Sequence, residues 1–177
     1  MRYVVLILMG IFGTILSGTA FSASFDLAGL GIQIDLVLLL VLALVLVEKN
    51  ITPIIFAMAT GLLMDMMFST TLGMYALSYT VAAAVASIVA HRMEKFNSLH
   101  IFLIGAGGYI VKELVMALIV FAQGARQFDL GAIFLRDMLP SAAFAGALLL
   151  LVYLLVSLLY RNTWMRPRMS SHFMDEL

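Results

Sequence analysis

Residues 138–160 have the sequence MLPSAAFAGALLLLVYLLVSLLY, which is 23 residues long and contains no charged side chain. A helix rises about 1.5 Å per residue, so about 20 apolar residues are enough to cross the hydrocarbon core of a bilayer. Pro140 stands in the first turn, where its missing N–H breaks no helical hydrogen bond. The segment is therefore predicted to be a transmembrane helix.

The composition of the whole chain agrees with this interpretation. Of its 177 residues, 64% are hydrophobic and only 11% are charged, and the mean hydropathy is +1.12. Soluble domains contain about 25% charged residues, so this chain has too few charges to cover a surface that faces water. Six helices with short loops would use almost all of the length. We predict a single-domain, all-α integral membrane protein.

Charged residues divide the rest of the sequence into further apolar segments. The second segment is extended back past Asp35 because its apolar run, 36–47, would rise only about 18 Å as a helix. The first segment imitates a signal peptide, but its length favours a retained span. Six transmembrane helices are predicted at about 3–23, 31–47, 51–68, 72–90, 99–122 and 138–160, followed by a short basic tail, 161–177.

The distribution of basic residues predicts the topology. Cytoplasmic loops of membrane proteins are enriched in Lys and Arg. With six spans and both termini in the cytoplasm, seven basic residues lie inside and only two, Arg126 and Arg136, lie outside. The loop at 126–137 is either an ordinary loop or a short amphipathic helix on the outer surface, and the basic tail would contact membrane lipid. The seven inside are Arg2, Lys49, Arg92, Lys95, Arg161, Arg166 and Arg168.

Several classes of function are disfavoured by the sequence. The formal net charge is zero, which argues against a nucleic-acid partner. There is no cysteine, and His91, His100 and His172 lack the spacing of a metal site. No nucleophile elbow, phosphate-binding loop or pair of catalytic acids can be identified. We expect neither an enzyme nor a bound cofactor or metal.

Four ionisable residues fall within or beside the predicted spans: Asp35, Asp65, Lys112 and Glu113. Charged groups inside a membrane are costly, so they usually pair with one another or mark a functional site. Adjacent residues on a helix point about 100° apart, so Lys112 and Glu113 are not expected to pair well with each other. Asp65 is the first candidate partner for Lys112. The four residues form either an interhelical clamp or part of a pocket.

Asp65 has a second interpretation that depends only on local sequence. It lies one turn before a short connection rich in small residues, which leads to Gly73 and Tyr75. A carboxylate at that position could accept hydrogen bonds from the N–H groups that open helix four. Gly73 and Tyr75 would then serve close packing and interfacial anchoring.

Small residues recur at about four-residue spacing in several helices, and helix one contains Gly10, Gly13 and Ser17. Such residues let two helices approach closely. Packing within the protein is the default explanation for these stripes. On helix one, the alternative is a face that receives a helix of a partner protein.

Three segments together resemble the bacterial rod shape-determining protein MreD family: Ile34 to Leu40, Gly61 to Asp65, and Thr71 to Leu77. The likeness covers about 45 residues, and elsewhere it is a likeness of hydropathy alone. The positions that match the family's motif at the connection of predicted helices three and four form a signature of Gly61, Asp65, Leu72, Gly73 and Tyr75. Asp35, at the start of helix two, also matches. Family members often have Pro where Ile34 stands, and Gly or Pro where Thr70 and Thr71 stand.

The resemblance implies a scaffold without enzymatic activity in the bacterial inner membrane, within the machinery of cell-wall elongation. Its implied partners are MreC, the glycosyltransferase RodA with its penicillin-binding protein and, indirectly, MreB filaments. The family is also similar in fold to the substrate-capture subunits of energy-coupling-factor transporters. The alternative function is a small-molecule capture subunit or transporter of the vitamin-uptake type, because Asp65, Lys112 and Glu113 could surround a pocket open to the outside. A third hypothesis is a lipid-carrier binder in which Lys112 meets a phosphate.

Overall fold

The computed structural model of the chain describes residues 2–19, 25–27, 30–32, 35–48, 50–69, 72–93, 97–124 and 138–161. Within these ranges the protein consists of six helices and one small β-hairpin. The elements are α1 (Arg2–Thr19), β1 (Phe25–Leu27), β2 (Leu30–Ile32), α2 (Leu36–Val47), α3 (Thr52–Phe68), α4 (Met74–His91), α5 (Ser98–Ala122) and α6 (Leu139–Arg161).

Helix α2 lies at the centre of the fold and contacts each of the other five helices. Its residues from Val37 to Leu46 are buried, with the exception of the partly buried Leu40. Every position of α2 is apolar, so the helix has no polar face to present to a solvent. A helix that is hydrophobic on all sides belongs in a core or in a membrane, and here the other helices surround it.

The start of α2 corrects the sequence prediction. We predicted a helix over 31–47, whereas α2 begins at Leu36 and Gly31 belongs to strand β2. The carboxylate of Asp35 accepts a hydrogen bond from the backbone N–H of Leu38 at 3.1 Å, which is the geometry of an N-cap. The preceding residues pair as an antiparallel hairpin, with Phe25 opposite Ile32 and Leu27 opposite Leu30. The prediction assumed that each helix must cross a bilayer by itself, which a helix enclosed by others need not do.

The other helices pack around α2 mainly as sequence neighbours. Helices α3 and α4 form one antiparallel hairpin, α5 and α6 form another, and α4 lies against α5. Helix α1 packs on α2 and α3. Glycines allow these close contacts: a Cβ on Gly105 would lie 2.9 Å from the Cα of Gly146, and one on Gly108 would lie 2.7 Å from the side chain of Leu42.

Three helices are long and apolar enough to cross a membrane, namely Met74–His91, Ser98–Ala122 and the Leu139–Tyr160 part of α6. This finding is consistent with a membrane protein. The apolar stretches of α1, α2 and α3 are shorter, at Leu6–Ile15, Leu36–Val47 and Thr52–Phe68.

The predicted boundaries of four helices, 51–68, 72–90, 99–122 and 138–160, agree with α3 to α6 to within two residues. Positions 20–23 of the first predicted helix lie outside the described residues. So do the loop at 126–137 and the tail after Arg161.

The outward surface of the helices is largely apolar. Large hydrophobic side chains are more than half exposed on every helix except α2, including Phe12, Met66, Leu77, Leu118 and Leu154. Soluble monomers rarely expose contiguous apolar patches of more than a few hundred Å². Lipid tails, by contrast, are as apolar as leucine and solvate such side chains without penalty.

Candidate functional site

The carboxylate of Asp65, near the end of α3, binds the start of α4. It accepts three backbone hydrogen bonds, from the N–H groups of Gly73 at 3.0 Å, Tyr75 at 2.9 Å and Ala76 at 3.0 Å. The first N–H groups of a helix have no partner within the helix, and Asp65 supplies one while being only 1% exposed. The predicted capping role of Asp65 is therefore confirmed.

Two glycines complete this α3–α4 junction. Gly73 precedes α4 with a φ of +102°, in the left-handed region that favours glycine. Gly61 lies one turn before Asp65, and a Cβ there would lie 2.8 Å from the backbone N of Ala76 and 2.9 Å from the carbonyl O of Tyr75. Gly61 thus lets the backbone of α4 approach α3 where the carboxylate bridges the two helices. A Cβ on Gly73 would have no atom within 4 Å, so the predicted close-packing role of Gly73 is wrong, and its role is the left-handed turn into α4. Leu72, the other member of the predicted signature, is 81% exposed and is not part of the junction.

A second site lies where α2, α4 and α5 meet, and it contains the remaining charged residues predicted from sequence. The Lys112 Nζ lies 2.7 Å from Glu113 Oε1 and 3.4 Å from Asp35 Oδ2. The side chains of Lys112 and Asp35 are 6% and 10% exposed, whereas that of Glu113 is 26% exposed. We call Asp35, Lys112 and Glu113 the ion cluster.

The ion cluster corrects two predictions about Lys112. Its predicted partner, Asp65, instead binds the backbone of α4, and its interhelical partner is Asp35. Lys112 and Glu113 do pair, contrary to the expectation from their 100° separation on the helix. The directions of two adjacent Cα–Cβ bonds do not limit side chains this long, because their flexible ends can turn toward each other.

Tyrosine side chains surround the ion cluster, and their place there was not predicted from the sequence. The Tyr79 hydroxyl, fully buried on α4, donates a 2.7 Å hydrogen bond to Asp35 Oδ2. Lys112 Nζ lies 5.2 Å from the centre of the Tyr109 ring, within the range of a cation–π contact. The ring of Tyr75 meets that of Tyr79 edge-on with centroids 5.9 Å apart. The sequence did contain one indication of this arrangement, because Tyr75 and Tyr79 are four residues apart and therefore lie on one face of α4.

The opposite end of α2 is also held by a carboxylate. Glu48 follows the last residue of α2, is 5% exposed, and accepts a hydrogen bond from the hydroxyl of Tyr160 on α6. Both ends of the central helix are therefore tied to neighbouring helices through acidic side chains. The contact between Glu48 and Tyr160 was not predicted from the sequence, in which the two residues are 112 positions apart.

The predicted partner face of helix one is directed into the protein. A Cβ on Gly10 would lie 3.0 Å from Thr60 and 3.2 Å from Phe56, both on α3. Gly13 is partly buried and approaches Val37 of α2, while Ser17 is only 8% exposed. These residues serve internal packing, so the alternative of a partner helix at this stripe is wrong. Large side chains such as Phe12 occupy the exposed side of α1 instead.

Comparison of the chain with models of protein families, with curated proteins and with solved structures gives no match. Within the described ranges, no group of three or more His, Asp or Glu side chains could hold a metal ion. Of the residues predicted from sequence, those to which the geometry gives a physical role form the Asp65 cap and the ion cluster. Both fix helices to one another.

Proposed function

We propose that the protein is a scaffold of the bacterial inner membrane that acts in cell-wall elongation, as the resemblance to the MreD family implies. In this proposal six helices span the membrane, both termini are cytoplasmic, and the protein has no enzymatic activity. Its direct partner would be MreC, through which it would be linked to MreB filaments and to RodA with its penicillin-binding protein.

The main support is the Asp65 cap. Four of the five signature residues act together at one junction. Asp65 binds the N–H groups of Gly73 and Tyr75, Gly61 permits the close approach of α4, and Gly73 supplies the left-handed turn. These residues lie on either side of one short connection, and the positions that match the family are the ones that hold its two helices together. A rigid α3–α4 hairpin suits a protein that holds its partners in fixed positions.

The ion cluster favours a scaffold over the two alternative functions. A lipid-carrier phosphate at Lys112 would meet an ammonium group already contacted by Asp35 and Glu113, both of them anionic. A small-molecule capture subunit would need polar groups directed at a ligand, whereas Asp35 is occupied by Leu38, Tyr79 and Lys112. These side chains are engaged with one another, as expected of an interhelical clamp.

The test is depletion of the protein in its rod-shaped host, followed by complementation. Depleted cells are expected to become round and wide, and the wild-type gene should restore rods. A gene encoding Asp65→Leu should fail to restore them, because the cap is lost. Met66→Leu is the matched control: Met66 is adjacent, 76% exposed and absent from the junction. Depleted cells that keep their normal shape and width would refute the proposal.

A further inference from the structure

The sequence of helix α2 nearly repeats itself after one helical turn. It reads LVLLLVLALVLV and contains only Leu, Val and one Ala. When residues 36–43 are paired with residues 40–47, each with the residue four positions later, six of the eight pairs are identical. The exceptions are Leu39 with Ala43 and Ala43 with Val47. A shift of four residues moves a helix about 6 Å along its axis and turns it by about 40°, so the shifted side chains of α2 would nearly superimpose on the original ones.

Apolar packing therefore gives α2 little preference for its observed position over one shifted by a turn. A Cβ on Gly108 of α5 lies against Leu42, and a shift in either direction would bring another leucine to that place. A Cβ on Gly13 of α1 lies 3.8 Å from the side chain of Val37, where Val41 could take its place. Burial of apolar surface is non-directional, so these contacts do not determine the position.

The polar residues that flank α2 do distinguish the two positions. Asp35, directly before the helix, accepts a 2.7 Å hydrogen bond from the hydroxyl of Tyr79 on α4. Glu48, directly after it, accepts one from the hydroxyl of Tyr160 on α6. A shift of one turn would break both bonds, and it would carry one of the two acids about 6 Å into the apolar part of the bundle. A buried carboxylate that has lost its partners is strongly unfavourable.

We propose that the pairs Asp35–Tyr79 and Glu48–Tyr160 are two register clamps, which select one axial position of α2 from positions that its apolar contacts hardly distinguish. A single buried polar residue fixes the register of apolar helices in coiled coils in the same way, even where it lowers their stability. The inference goes beyond the proposed scaffold function and does not depend on it, because it concerns how the central helix is positioned in the bundle.

The experiment is disulfide cross-linking in the full-length protein, reconstituted in nanodiscs of phosphatidylcholine. The chain has no cysteine, so two introduced cysteines report on one distance. Gly13→Cys with Val37→Cys reports the observed position of α2, and Gly13→Cys with Val41→Cys reports a shift of one turn. A disulfide needs Cβ atoms about 3.5–4.5 Å apart, so without further changes the first pair should oxidise about ten times faster than the second.

Both clamps must be removed together, because one remaining clamp would still hold a rigid helix. Asp35→Leu combined with Glu48→Met removes both acceptors with little change in size, and the preference for the first cysteine pair should fall to about threefold or less. Asp35→Asn combined with Glu48→Gln is the matched control. Each amide keeps an oxygen that can accept from the tyrosine hydroxyl, so the preference should stay at about tenfold.

An undiminished preference in the folded Leu–Met variant would overturn the proposal, since packing or the short connection to α3 would then set the position of α2. An equally large loss in the Asn–Gln variant would also overturn it. If the Leu–Met variant does not fold, Tyr79→Phe combined with Tyr160→Phe takes its place and removes only two hydroxyl groups. The partly buried Tyr153 of α6 supplies the control Tyr153→Phe, and equal preferences in these two proteins would refute the clamps. None of these results bears on the depletion experiment.

Discussion

Comparing Asp65→Leu with Asp65→Asn shows how much the hydrogen bonds of the cap contribute to stability, because both replacements are similar to Asp in size and only Asn keeps an acceptor oxygen. Leu removes both acceptor oxygens and leaves three N–H groups unbonded, each at about 1–3 kcal/mol when buried. The upper bound is therefore about 9 kcal/mol. The loss should lie nearer about 3–5 kcal/mol, because Gly73 and Tyr75 are only partly buried and water can reach their N–H groups.

Asn should be much less harmful than Leu. Asp65 Oδ2 accepts from both Gly73 and Ala76, while Oδ1 accepts only from Tyr75. An Asn that places its carbonyl oxygen at the Oδ2 position keeps two of the three bonds, so its cost is that of one donor plus the lost charge, about 1–3 kcal/mol. Asp65→Leu should therefore be about 2 kcal/mol less stable than Asp65→Asn, the difference between the midpoints of the two ranges.

The assay is reversible unfolding in mixed micelles at increasing mole fraction of denaturing detergent, with Met66→Leu as the neighbouring control. Two-state curves would give the free energy of unfolding for each variant. If Leu and Asn reduced that free energy equally, hydrogen bonding by the carboxylate would not be what stabilises the junction. If neither reduced it, the cap would have no energetic role.

Three further predictions follow from the packing, the ion cluster and the topology. Gly61→Ala should lower the free energy of unfolding by about 1–3 kcal/mol, because the added Cβ meets the backbone of α4. Gly107→Ala should raise it by about 0.5–1 kcal/mol, because a Cβ there has no atom within 4 Å. Equal effects of the two substitutions in the same micelle assay would contradict this prediction. Lys112→Met should lower the free energy of unfolding by about 3–5 kcal/mol, because it leaves the carboxylates without their cation. Adding Asp35→Asn and Glu113→Gln to that variant should recover part of the loss, as measured by thermal unfolding. A triple variant less stable than the single variant would refute the charge explanation. Of two reporter enzymes fused to the C-terminus, the one that works only in the cytoplasm should be active and the one that works only in the periplasm should be inactive. Activity of the periplasmic reporter would exclude the six-span topology.

Local patterns predicted much of the fold. Four helices begin and end close to the predicted residues, because charged or small polar residues interrupt long apolar runs and few alternatives exist for such runs. The Asp65 cap was predictable for a similar reason: the carboxylate and the N–H groups it binds are at most eleven residues apart. Caps and spans depend on residues that are close in sequence, so they can be predicted from one sequence alone.

Contacts between distant helices could not be predicted in the same way. Asp35 and Tyr79 are 44 residues apart, and nothing local indicates that they meet. Helix α2 is apolar at every position, so its sequence has no periodicity that shows which neighbour faces which side. Assignment of Lys112 to Asp65 failed because the choice among several carboxylates depends on how the helices are arranged around α2.

Helix α2 also bears on how the protein is inserted. Its twelve residues rise only about 18 Å, short of the bilayer core of about 30 Å, so in the proposed six-helix arrangement the segment would have little tendency to leave the insertion machinery for lipid by itself. It would enter together with its neighbours, and its place would become secure only once α6, which comes later in the chain, packs against it and Tyr160 reaches Glu48. A nascent chain stalled before α6 would therefore hold an incompletely sheltered central segment, which is the kind of species that membrane quality control degrades.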